Sequence, residues 1–268
     1  MKSALIVYWS STGNTQKVTY AIQVGLEAAE FKVELKKPQD AAELDFYAYD
    51  LVCVGSPSIE WQPAKPVADL LKAKLNLCRR QGKIKPCAPK VAGKNALVFV
   101  TYSGPHTGID EATPAGKTMR QYFEHFGFTI VGEWYIVGEF HGREDNSTLG
   151  KLGDIRGKPT AEDLAKIKRD AEQIAGRIDD DLAKAAEELS FMAKKPISKS
   201  MALNLLIEVY HAHLNNPCAL DTFSQQLQNL NIMSPEEFDR YWDDPAKPET
   251  PKPKAYPRSR KAPAKKPK

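Results

Sequence analysis

Long apolar runs and paired cysteines are what this sequence of 268 residues most clearly lacks. No stretch approaches the roughly 20 apolar residues that span a bilayer, and the amino terminus enters a predicted strand without a signal-peptide pattern. The four cysteines form no Cys-x-x-Cys pair, which disfavours a disulfide framework and a zinc or iron–sulfur site. We therefore expect a cytoplasmic protein with reduced thiols, no integral membrane segment and no metal.

The loop after the first predicted strand lacks two common phosphate motifs, Gly-x-x-x-x-Gly-Lys-Ser/Thr and Gly-x-Gly-x-x-Gly. Instead, the apolar run Ala4–Tyr8 breaks into hydroxyl residues and one glycine where a helix begins. Backbone N–H groups, the helix dipole and hydroxyls can together hold a phosphate monoester without a basic side chain. The candidate phosphate-binding residues are Ser10, Ser11, Thr12, Gly13, Asn14 and Thr15.

Short apolar runs alternate with amphipathic helical segments, which is typical of a doubly wound α/β sheet. The second run alternates apolar and charged residues, so it predicts an edge strand. These features favour a five-stranded parallel sheet of order 2-1-3-4-5, in which cofactors bind beyond the carboxyl ends of the strands. The predicted strands are Ala4–Tyr8, Phe31–Leu35, Leu51–Val54, Ala96–Val100 and Phe128–Val137.

The segment Ser10-x-Thr12-Gly13-Asn14-Thr15 resembles the phosphate loop of the flavodoxin family, which grips the phosphate of FMN. One position departs from that pattern, because Thr19 stands where the family usually has alanine. The resemblance covers about residues 1–188. It implies a flavodoxin-like fold with FMN as the cofactor.

Two further loops are placed beside the flavin ring by this resemblance. After the third strand, Gly55-Ser56-Pro57 precedes Trp61, which we expect to stack on the ring; the alternative is that Trp61 packs on the following helix. After the fourth strand, glycines allow backbone N–H groups to approach the ring edge, and Tyr102 can pack against it. The predicted contacts are Ser56, Pro57, Trp61, Thr101, Tyr102, Ser103, Gly104 and Gly108.

The loop after the fourth strand also contains His106. It is more similar to the histidine-containing loop of flavodoxin-like quinone reductases than to the acidic loop of small electron-carrier flavodoxins. His106 is therefore a candidate catalytic residue, since imidazole can donate a proton or hydrogen bond near neutral pH. The alternative is that His106 only orders the loop.

The connection Gly138–Pro159 leaves the fifth strand on the cofactor side of the sheet and is long enough to suggest a function. It either covers the flavin, binds a nicotinamide phosphate through Arg143, pairs with another subunit, or is a surface excursion. The sequence does not separate these roles.

The chain continues beyond the predicted sheet domain, residues 1–188, with two further parts. Residues 189–245 are expected to form a helical extension that docks on the sheet domain or across a homo-oligomer. Its histidines His211 and His213 do not form a metal pair, because residues two apart on a helix point to different sides. Residues 246–268 hold nine basic residues, one acidic residue and several prolines, which predicts a disordered tail that can contact anionic surfaces.

These observations favour an FMN-binding redox protein that transfers electrons between protein partners. The first alternative is an enzyme of the same fold that reduces quinone or another small acceptor with NAD(P)H. The second alternative is a flavin-free interaction scaffold whose basic tail is the active part. In the first two, the flavin supplies the redox chemistry.

Overall fold

The computed structural model describes residues 2–193, 198, 201, 202, 204 and 205. Strands and helices alternate along the chain. The strands are β1 (Ser3–Tyr8), β2 (Lys32–Lys36), β3 (Leu51–Ile59), β4 (Gln62–Pro63), β5 (Asn95–Tyr102) and β6 (Thr129–Val137). The helices are α1 (Asn14–Ala28), α2 (Lys65–Arg80), α3 (Thr113–His125), α4 (Glu144–Thr148) and α5 (Ala161–Ala193).

Five parallel strands form the sheet in the order β2-β1-β3-β5-β6, and the short β4 pairs antiparallel with the end of β3. With β4 set aside, this is the expected 2-1-3-4-5 order, so the flavodoxin-like fold class is confirmed. The second predicted strand lies at an edge, as its charged alternation indicated. Because β2 and β3 lie on opposite sides of β1, a crevice opens beyond the carboxyl ends of β1 and β3.

The sheet carries helices on both faces, which buries most of its central strands. One face packs against α2 and α3, and Leu5 and Val7 of β1 lie there with Phe123 of α3. The other packs against α1 and α5, and holds Ala4 and Ile6. Burial on both faces explains why β1, β3 and β5 begin as continuous apolar runs. The layers also fix the loops at the carboxyl end, where the site lies.

Of the helix ends predicted from the sequence, the structure has the start of α5 and the end of α3 as predicted, but not the start of α3. The spacing Thr160-x-x-Asp163 predicts a capping box, and the structure has one, because each backbone N–H donates to the other's side-chain oxygen, at 2.8 and 3.2 Å. Gly127 follows α3 with φ +78°, as expected at a helix end. The pair Thr113-Pro114 predicts Thr113 as the cap of α3, with proline at the first helical position. This prediction is wrong, because Ala112 is the cap residue and the Thr113 hydroxyl donates to the carbonyl of Ile109.

Helix α5 continues past residue 188, the predicted end of the sheet domain, to Ala193. The three-part division of the chain stays a prediction. Ala202 and Leu205 are buried. The rest of the predicted extension, with His211 and His213, and the basic tail of residues 246–268 lie outside the described residues.

Within the described part of the chain, Cys53 and Cys78 are buried free thiols and Cys87 is an exposed one. No helix there is long and apolar enough to cross a bilayer. The same residues contain no cluster of histidine, cysteine and carboxylate side chains suited to a metal ion. Cys218 lies outside this part.

Candidate functional site

The segments that follow β1, β5 and β6 converge with the end of β3 on one cavity of about 230 Å³. The sequence predicted this location from the strand order alone. Its lining combines hydroxyl groups with a few apolar and aromatic side chains. The lining residues are Ser10, Ser11, Thr12, Asn14, Thr15, Pro57, Ser58, Ile59, Thr101, Tyr102, Ser103, Glu139, Phe140 and His141.

The loop after β1 turns sharply into α1 through Gly13, which has φ +97° and open space where a Cβ would lie. Its backbone N–H donates to Ser10 Oγ at 3.1 Å, so the loop is closed by its own hydroxyl. The first turn of α1 carries no acidic residue that would compete for its free N–H groups. The cavity thus receives the positive end of a 15-residue helix together with several hydroxyls.

Thr15 connects this loop to the end of β5. Its Oγ1 lies 2.7 Å from Thr101 Oγ1, and both residues are buried. Thr19, the departure from the family pattern, is also buried, and its hydroxyl donates to the Thr15 carbonyl. A threonine therefore fits at position 19 without disturbing the loop.

Asn14 connects the same loop to the segment after β6. Its Nδ2 donates to the Glu139 carbonyl at 2.9 Å, while its buried Oδ1 has no partner. The contact is close, because a Cβ on Gly138 would lie 2.7 Å from Asn14 Nδ2. Since a buried acceptor without a donor is costly, the free Oδ1 indicates that a ligand with an O–H or N–H group belongs here.

The end of β3 and β4 form a hairpin whose two turn residues, Glu60 and Trp61, have φ +49° and +65°. This left-handed conformation is unfavourable for a bulky residue. Trp61 is 61 % exposed and does not line the cavity. Ser56 is also outside the lining: it is fully buried, and its hydroxyl accepts a hydrogen bond from Ala64 N–H at 2.8 Å, which holds the hairpin base.

Only some of the predicted residues in the loop after β5 line the cavity. Thr101, Tyr102 and Ser103 line the cavity, and burial raises the pKa of the Tyr102 phenol. Gly104 and Gly108 are not among the lining residues. They form a tight turn in which the Gly108 N–H donates to the Gly104 carbonyl.

His106 is exposed, outside the cavity lining. Its backbone N–H and that of Thr107 both donate to the Glu111 carboxylate at 2.7 Å. These two N–H groups therefore order the loop and are not directed at a ligand.

The connection Gly138–Pro159 supplies lining residues that the site prediction did not include, namely Glu139, Phe140 and His141. The buried Ser147 bonds to both backbone groups of Phe140. The Ser147 hydroxyl accepts a hydrogen bond from the Phe140 N–H and donates one to the Phe140 carbonyl. Lys151 N–H donates to the Pro105 carbonyl, which joins this connection to the loop after β5. Arg143, the candidate for a nicotinamide phosphate, is not among the lining residues.

The residues present fit FMN. Hydroxyls and helix N–H groups suit a phosphate, and the unpartnered Asn14 Oδ1 suits a hydroxyl of a ribityl chain. Tyr102 and the hairpin residue Ile59 provide apolar surface for a flat ring.

Comparisons with known proteins identify the family of this chain. The Flavodoxin family model matches residues 6–169. A flavodoxin from Megasphaera elsdenii is 28 % identical over 158 residues, which cover 57 % of this chain and 97 % of that protein.

Solved structures with a similar fold include a flavodoxin from the domain Archaea, with 20 % identity, a TM-score of 0.47, and coverage of 66 % of this chain and 99 % of that one. Flavodoxin 1 from Bacillus cereus has 15 % identity and a TM-score of 0.47, and the match covers 65 % of this chain and 98 % of that one. The Flavodoxin family model matches more than half of this chain. The chain therefore belongs to the flavodoxin family, whose cofactor is FMN.

Proposed function

We propose that this protein is a cytoplasmic electron carrier that uses FMN to pass electrons between redox protein partners. The observation that carries the proposal is the cavity at the start of α1, where hydroxyls, free helix N–H groups and one unpartnered amide oxygen converge. These groups suit the phosphate and the ribityl chain of FMN. When bound, FMN supplies one- and two-electron redox chemistry.

The residues divide the binding task along the cavity. Ser10, Ser11, Thr12 and Thr15 donate hydroxyl hydrogen bonds to the phosphate, and Gly13 lets the loop turn close to it. Asn14 Oδ1 accepts from a ribityl hydroxyl. Tyr102 packs against one face of the flavin ring. Trp61 closes over the other face of the ring when the cofactor is present.

The candidate catalytic residue of the reductase alternative is not in the cavity lining, which favours a carrier over a reductase. Among the described lining residues, the titratable side chains are Tyr102, Glu139 and His141. The Glu139 carboxylate accepts the Gly157 N–H at 2.9 Å and is thereby held in the segment's own structure. His106, on which the reductase alternative depended, lies outside the lining.

Apolar side chains at the rim support docking of a partner protein near the flavin. Ile59 and Trp61 on the hairpin and Phe140 across the cavity are all at least 36 % exposed. Exposed apolar groups beside a cofactor suit a short-lived protein complex that excludes water from the transfer path.

The test compares two activities of the full chain reconstituted with FMN. After reduction by a one-electron donor such as reduced methyl viologen, the protein should reduce cytochrome c stoichiometrically. With NADH or NADPH and a soluble quinone, it should turn over no faster than an equal concentration of free FMN. Quinone reduction at about 1 s⁻¹ or more, in the usual range for enzymes, would instead support the reductase.

A further inference from the structure

One peptide group in the connection after β6 is held on both sides by side chains of other elements. Its carbonyl, from Glu139, accepts from Asn14 Nδ2 at 2.9 Å, and its N–H, from Phe140, donates to Ser147 Oγ at 3.1 Å. We infer that Ser147 is a positioning residue for the cofactor, because it fixes which side of this peptide group faces Asn14. The inference rests on the proposed FMN site, and Ser147 itself is not among the residues that line the cavity.

The residues that hold this peptide group are themselves fixed. Ser147 is only 2 % exposed, and its carbonyl accepts the N–H of the buried Ile155 at 2.8 Å. On the other side, the Glu139 N–H donates to the Lys158 carbonyl at 3.0 Å, and the Glu139 carboxylate accepts the Gly157 N–H at 2.9 Å. The Ser147 hydroxyl therefore acts on a stretch of backbone that is already tied at both ends.

The single proton of the Ser147 hydroxyl decides which way the peptide group faces. Ser147 donates that proton to the Phe140 carbonyl at 3.0 Å, so its oxygen can only accept from the peptide group on the other side of Phe140. It therefore binds the Phe140 N–H and leaves the Glu139 carbonyl facing Asn14. A turned peptide group would place its carbonyl beside an oxygen with no proton left to donate.

The orientation of this peptide group sets which end of the Asn14 side chain is left for a ligand. A carboxamide has a donor end and an acceptor end, so the bond from Nδ2 to the Glu139 carbonyl leaves Oδ1, which is buried and has no partner. Asn14 also lines the cavity. Ser147 thus keeps an acceptor in place for a ribityl hydroxyl before the cofactor arrives, and binding need not spend free energy on ordering the amide.

The experiment is a double-mutant cycle on the full-length chain, with Kd for FMN and riboflavin measured by flavin fluorescence quenching. The proteins are wild type, Ser147→Ala, Asn14→Ala and the double variant. Ser147→Ala should weaken FMN binding about three- to tenfold, the range of one lost hydrogen bond. In the Asn14→Ala background the same substitution should weaken binding by less than about twofold, because the side chain through which Ser147 acts is gone. FMN and riboflavin should lose affinity by the same factor, because both have the ribityl chain.

Thr148→Ala is the matched control, because Thr148 follows Ser147 on α4 but its hydroxyl donates to the Glu144 carbonyl, and this variant should bind both flavins like wild type. Ser147→Cys, whose thiol is a weak donor and acceptor, should bind with intermediate affinity, and it takes the place of Ser147→Ala in the cycle if that variant does not fold. Equal losses from Ser147→Ala with and without Asn14 would overturn the inference, as would an unchanged Kd in Ser147→Ala or a loss confined to FMN. Failure of the wild-type chain to bind FMN at all would instead overturn the proposed function.

Discussion

The side-chain amide of Asn14 donates a 2.9 Å hydrogen bond to the backbone carbonyl of Glu139, a residue 125 positions away. This bond joins the loop after the first strand to the segment after the last strand. The same side chain lines the cavity, and its buried Oδ1 has no partner. If Asn14 binds the cofactor as proposed, cofactor binding and the contact between these two loops should be coupled through one side chain.

Gly138→Ala tests this coupling. The added Cβ would lie 2.7 Å from Asn14 Nδ2, so Asn14 must move and its bond to Glu139 must lengthen. We expect a loss of about 1–3 kcal/mol in apoprotein stability and at least a tenfold rise in the Kd for FMN. Urea titration and fluorescence quenching measure the two quantities.

A matched control for this substitution is Gly176→Ala on α5, where no atom lies within 4 Å of the added methyl group. Alanine is favoured over glycine in a helix by roughly 1 kcal/mol, so this variant should be at least as stable as wild type and should bind FMN equally. If Gly138→Ala behaved like Gly176→Ala, the tight contact around Asn14 would not be important for the site.

Thr15→Val removes the hydroxyl that pairs with Thr101 and that we propose donates to the phosphate. Valine keeps the shape but removes the 2.7 Å hydroxyl pair with Thr101 and one predicted phosphate donor. We expect the Kd for FMN to rise about tenfold, the typical effect of losing a hydrogen bond to a charged group, and the Kd for riboflavin to rise less. Thr19→Val is the control, because its hydroxyl bonds only to the Thr15 carbonyl; a similar loss in both variants would argue against a phosphate contact.

Trp61→Gly should separate stability from binding. Glycine adopts φ +65° without strain, so the apoprotein should gain roughly 0.5–1 kcal/mol. If Trp61 closes over the flavin ring as proposed, the Kd for FMN should rise about tenfold or more, because the variant has no side chain to stack on the ring. Glu60→Gly relieves a similar φ of +49° without removing the ring, and it should stabilise the apoprotein while leaving FMN affinity unchanged. An unchanged Kd in Trp61→Gly would remove Trp61 from the site.

Glu133 provides a pH test of the fold away from the cofactor. Burial opposes its ionisation, but hydrogen bonds from Lys117, Tyr135 and Arg120 outweigh burial and lower its pKa below the ordinary 4.5. Since the folded-state pKa is depressed, its stabilisation is present above pH 4.5 and is lost as pH falls through the folded value. Glu133→Gln should therefore cost about 1–3 kcal/mol at pH 7, and urea titrations should show this difference in stability shrinking as the pH falls below 4.5. If the stability difference between wild type and Glu133→Gln did not change with pH, it would arise from packing and not from the charge of Glu133.

The strand, turn and helix at the start of the chain were predictable because their signal is local. Strand, hydroxyls, glycine and helix follow one another within the segment from Ser3 to Ala28, and the structure has the same order. The sheet order was predictable for a similar reason, since burial on one or both faces leaves its mark within each strand. The capping box at Thr160 likewise needs only residues three apart.

The rest of the site depends on contacts between distant residues. Glu139 and His141 line the cavity because Asn14 and Ser147 hold the backbone on either side of Phe140, and no local pattern indicates that course. The exposure of Trp61 follows from a turn with two left-handed residues, for which a Glu-Trp pair gives no signal because such turns favour asparagine and glycine. Thr113 was misassigned because a single turn of 3-10 helix at Gly108–Glu111 precedes α3 and leaves Ala112 in the cap position.

The most direct test of the account is a titration of the full-length apoprotein with FMN and, separately, with riboflavin, followed by flavin fluorescence. We predict one FMN bound per chain, with the fluorescence quenched by Trp61 and Tyr102, and an affinity at least about tenfold higher than for riboflavin because the cradle at the start of α1 recognises the phosphate. Equal affinity for the two ligands, or fluorescence that stays unquenched at excess protein, would contradict that claim.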